Sequence, residues 1–160
     1  MKAASVVQLR KELEHLDNEK LKQLCLRLAR FKLENKELLT YLLFEVEDEL
    51  GYVQSIKSQL DILFLDINTQ HYFYIKKSVR KILSLTKKFI RYSKKKETEA
   101  ELLLYFCKKL NEMKPSIQRS QRLLNVYNSQ IKMIKKAIEK LHEDLQYDYQ
   151  LELDNLLDNA

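Results

Sequence analysis

The sequence predicts an all-α fold of about six helices arranged as successive antiparallel hairpins. Three observations carry this. Gly and Pro occur once each in 160 residues, against ordinary usage of about 7% and 5%. Apolar residues recur at alternating steps of three and four along most of the chain. Capping residues stand ahead of several of those runs. With so little glycine and proline there is almost nothing from which to build tight hairpin turns or phosphate loops. A hydrophobic content of 45% suffices for one domain with a core, so 1–160 is read as a single helical domain.

Ser5 with Gln8 has the form of a capping box, and Val6, Leu9, Leu13 and Leu16 follow at helical spacing, which predicts a short first helix. Asp17 then caps a second helix ending near Leu33, whose apolar stripe is Leu21, Leu24, Cys25, Leu28 and Phe31. Asn35 caps a long third helix reaching about Ile67, bent, if anywhere, at Gly51. A fourth helix covers Tyr72 to Tyr92 and is expected to be central to the fold. Thr98 with Glu101 forms a second capping box for a fifth helix, ended by Pro115. From 116 to 157 a single long sixth helix is expected, because Leu124, Tyr127, Ile131, Ile134, Ile138, Leu141 and Leu145 form a heptad seam of coiled-coil type.

Segments 21–50 and 79–113 match as hairpins: Leu21, Leu24, Cys25, Leu28 and Phe31 align with Val79, Ile82, Leu83, Thr86 and Phe89, and ELLTY (Glu37 to Tyr41) aligns with ELLLY (Glu101 to Tyr105). A duplicated hairpin would favour a short helical-repeat stack; without it the chain would be an irregular bundle. The run LRKELEHLDNEKLKQLCLRLARFKLENKELLTYLLF, Leu9 to Phe44, resembles the start of an uncharacterised family of bacterial helical proteins. The resemblance rests on the LxxxLxxLD helix, the following helix with its KLENKE ending, and the ELLxYL helix. It implies an all-helical fold and carries no activity.

No run of about 18 apolar residues is present and no signal-peptide core begins the chain, so the default expectation is a cytoplasmic protein without a membrane span. Cys25 and Cys107 stand in Leu-rich helical patterns without CxxC spacing and are expected to be buried free thiols in a reducing compartment. His15, His71 and His142 are far apart, and no ExxH pair of the kind used in di-iron bundles occurs. Glu45, Glu47, Asp48 and Glu49 are spread around a helix axis rather than gathered. No catalytic residue, metal ligand or cofactor site is therefore expected, and the chain reads as non-enzymatic.

Charge is the sharper signal. Met1 to Ile67 holds 10 basic and 12 acidic residues, Asn68 to Ile138 holds 18 and 4, and Glu139 to Ala160 holds 1 and 7, giving −2, +14 and −6 within the overall +6. On a wheel of about 100° per residue, Tyr72, Ile75, Val79, Ile82, Leu85, Thr86 and Phe89 share one face of the 72–92 helix. Lys76, Lys77, Arg80, Lys81, Lys87, Lys88 and Arg91 share the other, which carries no acid. Lys76 with Arg80, Lys77 with Lys81 and Lys87 with Arg91 are like-charge i,i+4 pairs, each unfavourable by a few tenths of a kcal/mol. Such a face has reason to meet an anion.

Four answers are open: the carboxylates of 139–158, nucleic-acid phosphate, an acidic protein or anionic membrane surface, or water alone. With the connection Lys94, Lys95 and Lys96, and Phe73, Tyr74 or Tyr92 as stacking partners, the patch would suit nucleic acid; Lys114, Arg119 and Arg122 would extend it. The expected role is that of a helical binding or scaffold protein acting through protein contacts, including a homodimer through the 117–145 seam. Nucleic-acid binding through the 72–92 helix is the alternative.

Overall fold

The computed structural model describes residues 1–159, and every regular element among them is helical. Eight α-helices occur among the described residues, two more than the periodicity predicts: α1 (Val6–Glu14), α2 (Asn18–Phe31), α3 (Leu33–Thr40), α4 (Glu49–Leu65), α5 (Tyr72–Ser93), α6 (Lys96–Asn111), α7 (Gln121–Ile138) and α8 (Glu143–Asp158). A π-helical turn, Tyr41–Glu45, follows α3, and a short 3-10 turn, Ile117–Arg119, precedes α7. No described helix is long and apolar enough to cross a membrane. The chain divides into two compact units, Met1–Phe44 and the remainder from Glu45.

In the first unit the local signals act as the sequence predicts. The Ser5 hydroxyl accepts from the Gln8 amide at 3.3 Å while the Gln8 side chain accepts from the Ser5 amide at 2.9 Å, closing the capping box. Asp17 accepts from the Lys20 amide at 2.8 Å and starts α2. Asn35 takes a different part: α3 already begins at Leu33, and the Asn35 side chain donates to the Leu28 carbonyl at 2.8 Å, closing the end of α2.

Burial departs from expectation. No residue of α1, α2 or α3 is buried. Val6 is 73% exposed, Leu28 60% and Phe31 79%, and Leu9, Leu13 and Leu24 are exposed as well. Cys25, expected inside, is exposed. Periodicity identifies the apolar face of a helix and is silent on whether anything covers it.

The second unit is built around α6, not around the basic helix. α6 packs against α4, α5, α7 and α8. Its KETEAELLLYFCKKLN sequence is apolar on most sides, and Ala100, Leu102, Leu103, Phe106, Cys107 and Leu110 are all fully enclosed. Burying the four large side chains among them, Leu102, Leu103, Phe106 and Leu110, is worth on the order of 10 kcal/mol before entropy is counted. Phe106 meets Phe64 of α4 with ring centroids 5.7 Å apart.

Two long helices expected from the sequence are each broken. The third ends in the π-helical turn, and α4 begins afresh at Glu49, where Asp48 accepts from the Gly51 amide at 3.0 Å. The break therefore precedes Gly51, and an N-cap, not a glycine bend, makes it. The sixth is interrupted between Ile138 and Glu143. The amides of Lys140 and Leu141 turn back to Ala137 and Ile138, His142 is extended and caps α8, and the Gln146 side-chain Nε2 donates to the carbonyls of Leu141 at 2.8 Å and Glu139 at 3.2 Å. Glu143 and Asp144 suit the amino end of the new helix. The heptad runs through this turn, which is why spacing alone does not reveal it. Ser116 and Ile117 likewise precede the last helices instead of opening one.

The heptad seam is used inside the chain. Tyr127, Ile131, Ile134 and Ile138 are buried and α7 packs most extensively on α6, so the middle of the seam packs within the chain, while Leu124, Leu141 and Leu145 of the surface expected to join a second copy through 117–145 are half-buried. The paired segments of the internal match correspond to α2 with α3 and α5 with α6. α6 is buried on most sides whereas α3 contains no buried residue.

Candidate anion-binding face

Helix α5 sorts its residues as the wheel predicts. Ile75, Val79, Ile82 and Thr86 are buried, and the Thr86 hydroxyl is satisfied by the Ile82 carbonyl at 2.9 Å. This face rests on α4 and α6, with the Tyr52 hydroxyl of α4 donating to the Phe89 carbonyl at 3.0 Å. On the opposite side Lys77, Arg80, Lys81 and Arg91 are exposed, while Lys76, Lys87 and Lys88 are half-buried. Lys88 lies 5.3 Å from the centre of the Phe89 ring.

The helix ends at Lys94, which adopts the left-handed conformation at φ 60° and donates its amide to the Ile90 carbonyl at 2.9 Å. Lys95 and Lys96, expected to extend the patch, have acidic neighbours: Lys95 lies 3.1 Å from Glu49, and Lys96 is paired with Glu99. Glu49 also accepts from the hydroxyls of Ser93 and, at 2.5 Å, Thr98. Thr98 thus serves a tertiary contact rather than the predicted capping box, and α6 begins before it, at Lys96.

Among the described residues, Lys76, Lys77, Arg80, Lys81, Lys87, Arg91 and Lys94 make no side-chain hydrogen bond or ion pair, and no carboxylate of α8 pairs with a cation of α5. Helix α8 packs on α6 and α7, whereas α5 packs on α4 and α6. The acidic tail does not cover the basic helix. Lys76 to Arg91 spans roughly 22 Å at about 1.5 Å per residue. At the amino end Phe73 and Tyr74 are exposed with centroids 5.5 Å apart, edge to face, and His71 lies 6.1 Å from Tyr74. Tyr92 is buried against Phe89 and is unavailable for stacking. Tyr72 donates to the Ser116 carbonyl at 2.7 Å, which tethers the 114–119 connection, with exposed Lys114 and Arg119, to the start of α5.

Spacing arguments missed a polar cluster on α4, α6 and α8. Lys57 and Glu101 pair at 2.6 Å. Asp61 takes the Tyr105 hydroxyl at 2.6 Å and the Lys109 ammonium at 2.8 Å. Tyr149 donates to Glu101 at 3.2 Å. The pairs lie 44 to 48 residues apart in sequence, so only tertiary packing joins them. Lys109 and Tyr105 hold the Asp61 carboxyl below its usual range, and burial with the Asp61 bond pushes Tyr105 up to about 12. Burial also raises Tyr149, aided by the charges of Glu101 and Glu97.

The cluster borders an open cleft of about 630 Å³ with Asn111, Glu152 and Asn155 on its walls. Its charges neutralise one another, which is the behaviour of a structural brace. The three histidines lie exposed on separate elements, and no group of three or more His, Cys, Asp or Glu residues is gathered for a metal among the described residues. Comparison with family models, curated proteins and solved structures finds no match to this chain.

Proposed function

We propose that this is a non-enzymatic helical binding protein that acts through protein contacts, with the amino-terminal unit as its contact surface. The observation that carries the reading is the row of large apolar side chains on α1 and α2, Val6, Leu9, Leu13, Leu24, Leu28 and Phe31, all exposed together. A monomer's largest apolar patch is ordinarily about 300–600 Å² and often functional. A photo-crosslinking residue placed at Leu28 or Phe31 in the living cell should form protein adducts, whereas one at the exposed polar Gln54 should not. Equal or absent yields at all three positions would remove the reading.

Nucleic-acid binding through α5 is the second reading, favoured by the unpaired cations Lys77, Arg80, Lys81 and Arg91 next to exposed Phe73 and Tyr74. Titrating labelled single-stranded RNA and duplex DNA at two salt concentrations tests it. Phosphate contact predicts log K falling by about 0.9 per duplex phosphate for each decade of salt. No complex at low salt ends this alternative.

A further inference from the structure

We infer that the protein covering the apolar stripe of α2 is a second copy of this chain, whose α1 lies antiparallel along it in a reciprocal exchange. This rests on the protein-contact reading above and names its partner. Three features of the first unit support it.

The first is fit. Val6, Leu9 and Leu13 step by three and four on α1, and Leu24, Leu28 and Phe31 step by four and three on α2. Laid antiparallel, Val6 faces the second copy's Phe31, Leu9 its Leu28 and Leu13 its Leu24. Taking ~150 Å² or more for each large side chain and the observed exposures, the two stripes offer roughly 500 Å² of apolar surface per copy. With their polar borders this approaches the ~800 Å² per partner of a stable complex. The exchange is self-complementary, so it closes at two copies.

Charge decides which helix sits on α2. On the helical wheel, Lys20 and Arg27 border one side of the α2 stripe and Lys22 the other. Two α2 helices packed antiparallel would bring Lys20 and Arg27 of both copies to the same side of the seam. On α1, Glu12 borders the stripe on the side that an antiparallel crossing brings to the second copy's Arg27, while the other border carries Arg10 as well as Glu14 on the side of its Lys22, which already pairs with Glu19 at 3.7 Å. Glu12, Glu14 and Arg27 have no ion-pair partner among the described residues.

The connection leaves the two helices open in one chain. The His15 amide bonds back to Glu12 and Leu13, the Leu16 amide to Leu13, and the Asp17 carboxylate holds the Lys20 amide at 2.8 Å. These bonds close the end of α1 and the start of α2 locally, on either side of Leu16, in the open arrangement the structure shows.

Sedimentation equilibrium of the full chain over a concentration series tests the inference, with alkylation of exposed Cys25, which lies in the α2 stripe, as a second readout. Mass should rise from one chain to two, and Cys25 should become protected in parallel. L28D/F31D should remain at one-chain mass with unchanged helicity, since neither side chain supports the fold. E12R and R27E should each weaken association several-fold, and the combined E12R/R27E chain should recover it. Tightening by R27E alone would overturn the arrangement in favour of α2 against α2. A one-chain mass throughout with freely reactive Cys25 would overturn the second copy and leave the protein-contact reading standing. A one-chain mass with protected Cys25 would mean the stripe closes within its own chain, and both would fall.

Discussion

The hydroxyl of Tyr105 on α6 donates to the Asp61 carboxylate on α4 at 2.6 Å. The same carboxylate oxygen receives Lys109 from the next turn of α6 at 2.8 Å, so one acid on α4 is gripped at two levels of the central helix. Together with Lys57 and Glu101 one turn away, this sets the register of α4 on α6. Y105F should cost about 1 kcal/mol, one hydrogen bond, and D61A about 2 kcal/mol, because it also leaves Lys109 without its closest acid. Urea denaturation of the two variants measures both; equal and negligible losses would show that the apolar contact alone sets the register.

Alkaline pH should destabilise the protein. Burial pushes the Cys107 thiol from 9.0 up to about 12, and burial with the Asp61 bond pushes Tyr105 from 10.0 up to about 12. Both groups hold their protons more tightly folded than unfolded. Their contribution is therefore complete below the unfolded values and is lost progressively between pH 9.0 and about 12. Asp61 has the opposite sign: its lowered value gives stability present above 3.8 that fades as pH falls below it. Thermal melting from pH 7 to 12 should show a steady decline starting near 9.0, and C107A, a smaller but non-ionising residue, should flatten its early part.

Gln130 is buried on α7, and its Oε1 is the buried side-chain oxygen without a hydrogen-bond partner among the described residues. Its Nε2 bonds only to the Val126 carbonyl one turn back, at 3.1 Å. Q130L removes an unsatisfied acceptor at similar volume and should stabilise the fold by about 1 kcal/mol. A higher denaturation midpoint at unchanged m-value would confirm the direction, and a lower midpoint would contradict it.

Gly51 and Asp48 should be energetically coupled. A Cβ on residue 51 would stand 2.2 Å from Asp48 Oδ2, so G51A displaces the cap of α4. The gain of about 1 kcal/mol for replacing glycine inside a helix should be offset by the loss of about 1 kcal/mol for the cap. In a D48A background the same G51A should stabilise by the full ~1 kcal/mol. A double-mutant cycle on denaturation midpoints reads the difference, and simple additivity would refute it.

The sequence by itself determined the all-helical class, the cap-driven starts of α1 and α2, and the division of α5 into an apolar face and an acid-free basic one. These follow from near-neighbour physics: side-chain spacing, backbone capping and the scarcity of glycine and proline. It also marked the residues of the candidate patch, but not their state. Glu49 and Glu99 engage Lys95 and Lys96, burial withdraws Tyr92, and the acidic α8 lies on α6 and α7 instead of across the basic face. Only the tertiary structure decided that α6 is the centre, that the heptad seam of α7 is filled from within, and that the stripes of α1 and α2 stand uncovered. An amphipathic period has the same form whether its apolar face meets its own core, a second chain or water, because what covers a face depends on helices distant in sequence.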